Sequence, residues 1–215
     1  MKKKYGSSWE KYSIKPGEIW KEEKTDSYIL VSDIRNDIPD IFKQVDMIYC
    51  DPPWSKGNAN FFITKAELNS YIKDFSEFYG KLFDRIKQID CFSCYLEIGR
   101  QNKDLFLREL SKIYPCVDYW NVTYYKKNPC FLLRGGHEYC NYDYSGLDEE
   151  YTPAIAINEE NSQRILDLCI GRGLVGIAAF REGKTFLGID INKRKLAVLI
   201  ERITKLGGRF KKYNI

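Results

Sequence analysis

The stretch "DLCIGRGLVG", residues 167–176, decides how this chain folds. It lies within "RILDLCIGRGLVGIAAFREGKTFLGIDINKRKLAVLIERITKLG" (164–207), which reads as strand, glycine turn, helix, second strand and final helix. Gly171, Gly173 and Gly176 satisfy GxGxxG between a strand and a helix start. Asp190 ends the next strand roughly twenty residues on, where a ribose-binding carboxylate belongs. Taken alone, the unit indicates a nucleotide cofactor, a dinucleotide first of all.

The position of this unit in the chain changes that reading. A dinucleotide fold places its glycine turn after its first strand and then needs several more strands, yet fewer than about 30 residues follow Asp190, enough for one helix. The rest of the sheet must come from upstream. "SYILVSD" (27–33) reads as the strand that would follow the final helix, "IPDIFKQ" (38–44) as a short helix, and "VDMIYCD" (45–51) as another strand. The chain therefore reads as a nucleotide-binding fold opened between its second and third strands, a circular permutation. In that arrangement Gly171, Asp190, Asp33 and Asp51 all stand at the carboxyl ends of parallel strands, the edge at which open α/β sheets bind ligands.

The middle of the chain continues the alternation. "TKAELNSYIKDFSEFYGKLFDRIKQ" (64–88) predicts one long helix, with Leu68, Ile72, Phe75, Tyr79, Leu82 and Ile86 at helical spacing and Thr64 with Glu67 as its capping box. Strand "CFSCYLEIG", helix "KDLFLRELSKIY" and strands "VDYWNVTYYK" and "HEYCNYDY" follow, and a polar stretch closes the segment. Strands alternating with helices predict a mainly parallel sheet covered on both faces.

Composition bounds the possibilities. At 215 residues and 44% hydrophobic, the chain has the size of one domain with one substantial core. We divide it into a basic amino-terminal arm (1–26), a catalytic half (27–144), a connector (145–162) and a cofactor-binding half (163–215). The net charge of +4 permits a nucleic-acid partner without demanding one. No apolar run approaches the ~20 residues of a membrane span and no signal peptide is evident, so no membrane association and a cytoplasmic location are expected. Seven cysteines, an odd number in mostly apolar surroundings, read as reduced core thiols. With one CxxC and one histidine, His137, no metal site is expected.

Several separate motifs in order give the chain a family resemblance. "DPPW" (51–54), "DLCIGRG" (167–173), "GIDINKRKLAVLIERI" (188–203) and "YYKKNPCFLLRGGHEYCNY" (124–142) together resemble the circularly permuted S-adenosylmethionine-dependent amino-methyltransferases that modify exocyclic amines of nucleobases. The glycine turn departs from the family's frequent Phe-x-Gly-Ser-Gly: here it is Cys169, Ile170, Gly171, Arg172, Gly173. The resemblance implies a Rossmann-like class I methyltransferase, α/β, with a mainly parallel seven-stranded sheet, circularly permuted. It implies a catalytic motif at Asp51, Pro52, Pro53 and Trp54. It implies cofactor contacts at Asp33, Asp167, Cys169, Gly171, Gly173, Asp190 and Asn192, and substrate contacts at Trp54 and at His137 of the His-Glu pair (137–138); "SKGNANFF" (55–62), read as a substrate loop after the motif, would bring Lys56 near a phosphate.

The chemistry accounts for the proline pair. An exocyclic amine is a poor nucleophile because its lone pair is delocalised into the ring. The Asp51 carboxylate can accept one amine hydrogen and the Pro52 carbonyl the other, which favours a pyramidal nitrogen as the methyl arrives. Tandem prolines fix φ and lack N–H groups, so the chain can present that carbonyl outward. Trp54 is placed to stack on a base flipped out of a duplex. Asp before the prolines favours adenine N6 in DNA, with RNA adenine or cytosine N4 in DNA as alternatives. Without a large recognition segment, specificity must come from loops, from a specificity partner, or hardly exist; a homodimer is a further expectation. The rival classes are an NAD-dependent oxidoreductase, favoured by GxGxxG alone, and a catalytically silent methyltransferase-like binding subunit.

Overall fold

The computed structural model describes residues 8–213 and builds them around one nine-stranded sheet. Its centre is five parallel strands: β2 (Ser27–Val31), β3 (Met47–Cys50), β4 (Ser93–Ile98), β7 (Arg164–Asp167) and β8 (Thr185–Asp190). "SYILV", "MIYC" and "SCYLEI" are buried at every residue. Such unbroken runs are what a strand covered on both faces requires. With β1 (Ile19–Glu22), β5 (Cys116–Tyr124), β6 (Asn128–Gly136) and β9 (Phe210–Tyr213), the sheet order is β5-β6-β4-β3-β7-β8-β2-β1-β9, so the late strands β7 and β8 sit between the early strands β3 and β2. In register, Val31 lies opposite Asp190 and Met47 opposite Ile165, which brings their carboxyl ends to one edge.

Helices cover both faces. On one side α2 (Lys56–Lys65), α3 (Ser76–Ile89) and α4 (Lys103–Leu110) pack Ile63, Leu82, Ile86 and Phe106 onto Ile48, Cys50 and Leu96. On the other, α5 (Thr152–Glu159), α6 (Leu174–Arg181) and α7 (Lys193–Lys205) pack Ile157, Val175, Leu199 and Ile203 onto Met47, Tyr49 and Tyr95. Alternate strand residues feed the two cores, as the period of two demands. No helix among the described residues is long and apolar enough to cross a membrane.

The structure corrects several expectations. The sheet has nine strands rather than seven, because β1 (Ile19–Glu22) and β9 (Phe210–Tyr213) add an antiparallel pair beyond β2. Part of the expected basic arm is therefore built into the sheet edge, while residues 1–7 lie outside the described residues. Buried Glu22 ties this edge together: it accepts hydrogen bonds from the Thr25 N–H (2.7 Å), the Thr25 hydroxyl (2.8 Å) and the Arg209 N–H (2.9 Å).

The long helix expected over 64–88 is two helices. Thr64 lies near the end of α2 and Glu67 adopts φ +62°, so the expected capping box does not form. The Asn60 side chain grips both backbone groups of Ile72 (2.9 and 3.1 Å) and holds the link in place. The Glu77 carboxylate, in the first turn of α3, accepts from the N–H groups of Lys73 and Asp74 and ties down the chain ahead of the helix. The second antiparallel strand, β6 (Asn128–Gly136), precedes the expected "HEYCNYDY", pairing with β4 on one side and β5 (Cys116–Tyr124) on the other.

Candidate active site

A cavity of about 460 Å³ opens along the carboxyl ends of β2, β8, β7 and β3. Seven of the residues singled out in the sequence line it: Asp33, Asp51, Pro53, Asp167, Cys169, Gly171 and Asp190.

The glycine turn, which follows β7, borders the middle of the cavity. Gly171 (φ +53°) and Gly173 (φ +74°) both occupy the left-handed region. A Cβ on Gly173 would lie 2.6 Å from the Leu199 side chain, so this glycine is needed for conformation and for close packing alike. The Gly171 N–H donates to Asp190 Oδ2 (2.9 Å), joining the turn to the next strand's terminal carboxylate. The other oxygen of Asp190 accepts from the Asn192 N–H (2.7 Å), and buried Asp167 accepts from the Cys169 N–H (2.9 Å). Asp33, at the far end, is held in a two-pronged ion pair by Arg35, whose guanidinium also reaches Ser70. Carboxylates along an apolar groove, with a glycine turn at its middle, fit a ligand carrying a diol, amines and a cationic centre.

Asp51 stands at the other end, just past β3. It is half-buried, and burial pushes its carboxyl up to about 7, against a hydrogen bond from the indole Nε1 of Trp54 (3.0 Å). Two further acids, absent from the sequence reading, join it: Glu97 in β4 and Glu149 ahead of α5. One carboxyl oxygen from each of the three lies within 4.8 Å of the others. Glu97 is 2% exposed and accepts at Oε1 from the hydroxyls of Tyr49 (2.6 Å) and Thr152 (3.2 Å). Burial, reinforced by the Asp51 charge, pushes it well above the ordinary carboxylate range. Glu149 is also raised by burial, and is paired with Arg172 at 2.6 Å. Three carboxyls this close cannot all ionise; the group retains protons or takes a hard cation.

The remaining sequence candidates are placed differently. Trp54 is not in the cavity wall: its ring lies on Gly99, edge-on to Tyr124, and the Asn102 side chain holds its carbonyl at 2.7 Å. The cavity's aromatic wall is instead Tyr49, Phe61, Phe62, Phe78, Tyr124 and Tyr125. Pro52 is buried between the cavity-lining Asp51 and Pro53, and among the described residues no hydrogen bond to its carbonyl is formed. Gly173 and Asn192 act as helix caps beside the cavity; Asn192 Oδ1 accepts from the Arg194 N–H at the start of α7. Lys56 is exposed on the first turn of α2, so "SKGNANFF" is largely helix rather than loop.

His137 is corrected outright. It follows β6 at the amino-terminal edge of the sheet, where its N–H meets the Phe92 carbonyl and its ring lies near Phe92 and Tyr114. β6 runs antiparallel to β4 and carries the His-Glu pair away from the cavity. Signals for the missed acids were present: Glu97 is a lone carboxyl in the apolar strand "CYLEI", and Glu149 lies in "LDEEYT". Glu149 and Arg172 meet only because the connector returns beside the glycine turn. The Tyr125 and Lys126 amides, at a hairpin turn with φ +54° and +59°, are held by Glu149 (2.9 Å) and Asp148 (2.6 Å).

No family model and no curated protein sequence matches the chain. Solved structures do match. M1.HpyAVI is 17% identical with a TM-score of 0.54, over 81% of this chain and 97% of its own. Its complex with SAM gives a TM-score of 0.55 at 15% identity, over 81% and 98%. TTHA0409 from Thermus thermophilus, provisionally assigned as a DNA modification methylase and solved with S-adenosyl-L-methionine, gives 0.56 at 13%, over 82% and 94%. The cytosine-N4-specific PvuII DNA methyltransferase gives 0.52 at 10%, over 84% and 90%. The chain shares its fold with these proteins.

Proposed function

We propose that this protein transfers a methyl group from S-adenosylmethionine to an exocyclic nucleobase amine, adenine N6 in DNA in the first instance. The observation that carries the proposal is Asp51, presented at the cavity by a proline pair whose first carbonyl has no hydrogen-bond donor among the described residues. In this reading the sheet is a methyltransferase sheet entered between its second and third strands, a circular permutation.

Asp190 and Asp33, at the ends of β8 and β2, would hold the cofactor's ribose hydroxyls and adenine. Asp167, Cys169 and Gly171 would border its methionine part. When bound, the cofactor would supply an electrophilic methyl and leave as a neutral thioether, and the proton that the methylated nitrogen gives up would pass to the Asp51 carboxylate it faces. Asp51 Oδ2 and the Pro52 carbonyl accept the two amine hydrogens and aim the nitrogen lone pair. Ionised Asp51 also stabilises the positive charge that grows on the nitrogen. Tyr124 and Tyr125 offer the stacking surface first expected of Trp54, for a base that must leave a duplex to enter. Lys126 and Lys127 at the hairpin tip and Lys56 on α2 are exposed cations suited to the backbone phosphates.

The test is single-turnover transfer of a tritiated methyl to oligonucleotides containing one adenine or one cytosine, duplex and single-stranded, in DNA and RNA. Wild type is expected to label adenine in DNA, and Asp51→Ala to lose nearly all labelling while still binding cofactor. Full activity in Asp51→Ala sinks the mechanism, and labelling of cytosine alone sinks the adenine assignment. Calorimetric titration showing NAD binding in preference to S-adenosylmethionine would return the protein to the oxidoreductases.

A further inference from the structure

Glu97 is unexplained by the reading above. It is a buried acid with nearly all its surface removed from water, it lines the cavity, and no opposite charge pairs with it among the described residues. Both hydroxyl hydrogen bonds, from Tyr49 and Thr152, fall on Oε1, so Oε2 is the oxygen left for a substrate. Its carboxyl lies within 4.8 Å of that of Asp51. An exocyclic amine on an adenine or a cytosine always has a bare ring nitrogen beside it, N1 or N3, which accepts one hydrogen bond. Two acceptors side by side do not match that edge. An acceptor beside a donor does.

We propose that protonated Glu97 donates a hydrogen bond to the ring nitrogen adjacent to the reacting amine, so that Asp51 and Glu97 together read the donor–acceptor edge of adenine or cytosine. The role rests on the base-amine methyltransferase reading. It rejects guanine presented by its Watson–Crick edge, whose N1–H would meet the Glu97 proton, and thymine, which has no amine there.

The surroundings keep the proton on Glu97. Within its own sheet it faces Tyr49 and Asp51 from β3, and Cys130 from β6. The connector adds Glu149 and Thr152. The cations lie elsewhere: Arg172 is committed to Glu149, and Lys195 of α7 faces Asp190 and Asp51. Of the two acids in the pair, Asp51 receives the indole N–H and the nearer cation, and Glu97 receives neutral hydroxyls alone. Asp51 therefore ionises first, giving the acceptor on the amine side and the donor on the ring side.

The experiment compares wild type, Glu97→Gln and Glu97→Ala in single-turnover methylation of an oligonucleotide carrying one adenine, and of the same strand carrying 1-deazaadenine, which keeps the amine and replaces N1 by C–H. For wild type the deaza base should slow transfer by about 5- to 150-fold, the cost of leaving one buried partner unmet. Glu97→Gln, which keeps a donor that cannot ionise, should stay within about tenfold of wild type on adenine. It should also lose the fall in rate that wild type shows as pH rises and Glu97 gives up its proton. Glu97→Ala should lose activity on adenine and suffer no further loss on the deaza base. Equal wild-type rates on the two bases overturn the proposal, as do losses that multiply in Glu97→Ala. If the alanine variant does not fold, the wild-type and glutamine comparisons decide alone. Should wild type label cytosine and not adenine, 3-deazacytosine takes the place of 1-deazaadenine with the same outcomes. Labelling of neither base overturns the underlying reading, and this role with it.

Discussion

Asp51 and Trp54 flank the proline pair of the motif, and their contact gives Trp54 a different task from the one its aromatic ring suggests. The indole N–H donates to Asp51 Oδ1, which favours the ionised carboxylate against the burial that raises it to about 7. Because ionised Asp51 is the form that accepts the amine hydrogen, methyl transfer should fall as pH drops through about 7. Trp54→Phe keeps most of the packing and removes the donor. A hydrogen bond to a charged group contributes about 1.5–3 kcal/mol, so the acid limb of the rate profile should move up by on the order of one to two pH units. Rates of wild type and Trp54→Phe measured from pH 5 to 9 check this. A variant with reduced rate and an unmoved limb would return Trp54 to base stacking.

Among the elements, the glycine turn between β7 and α6 is the most constrained. Gly173 has φ +74° and no room for a Cβ, whereas Gly183, with φ +68°, has nothing within 4 Å of that position. Gly183→Ala should cost only the backbone penalty, about 1–2 kcal/mol. Gly173→Ala carries that penalty plus the overlap with Leu199 and should cost about 1–3 kcal/mol more. Urea denaturation of the two variants separates the terms, since both share the left-handed backbone. Equal losses would show that α7 yields freely and that the contact is not a constraint. The split helix follows a related logic. The spacing from Leu68 to Ile86 is helical throughout, yet Asn60 captures Ile72 and turns it into the cavity wall. A polar side chain distant in sequence outweighed local periodicity, which sets only a preference.

For the whole molecule, strand order makes the two halves interdependent. β7 and β8 separate β3 from β2, so residues 1–162 alone lack the middle of their sheet and residues 163–215 keep only the β7–β8 pair, with neither flanking strand. Each fragment expressed alone should show little near-ultraviolet circular dichroism, and co-expression should restore it along with co-purification. A folded 1–162 fragment would mean that β2 and β3 close on each other without β7 and β8. Glu22 closes the assembly from the outside: Glu22→Ala leaves the amides of Thr25 and Arg209 unmet and should cost about 1–3 kcal/mol by denaturation.

The sequence alone determined the parallel strands, their carboxyl-end acids and the glycine turn, because apolar runs, strand-end carboxylates and glycines each act over a few residues. DPPW and Asp190 were legible for the same reason. Contacts that join distant segments were not. Glu97 reaches Asp51 because β4 lies beside β3, Glu149 arrives with the connector, and His137 is carried to the opposite edge by the direction of β6. The edge pair β1–β9 joins the two ends of the chain, which no local pattern can announce. Pairing of strands far apart is decided by burial of the whole sheet, a property that exists only once the chain has folded.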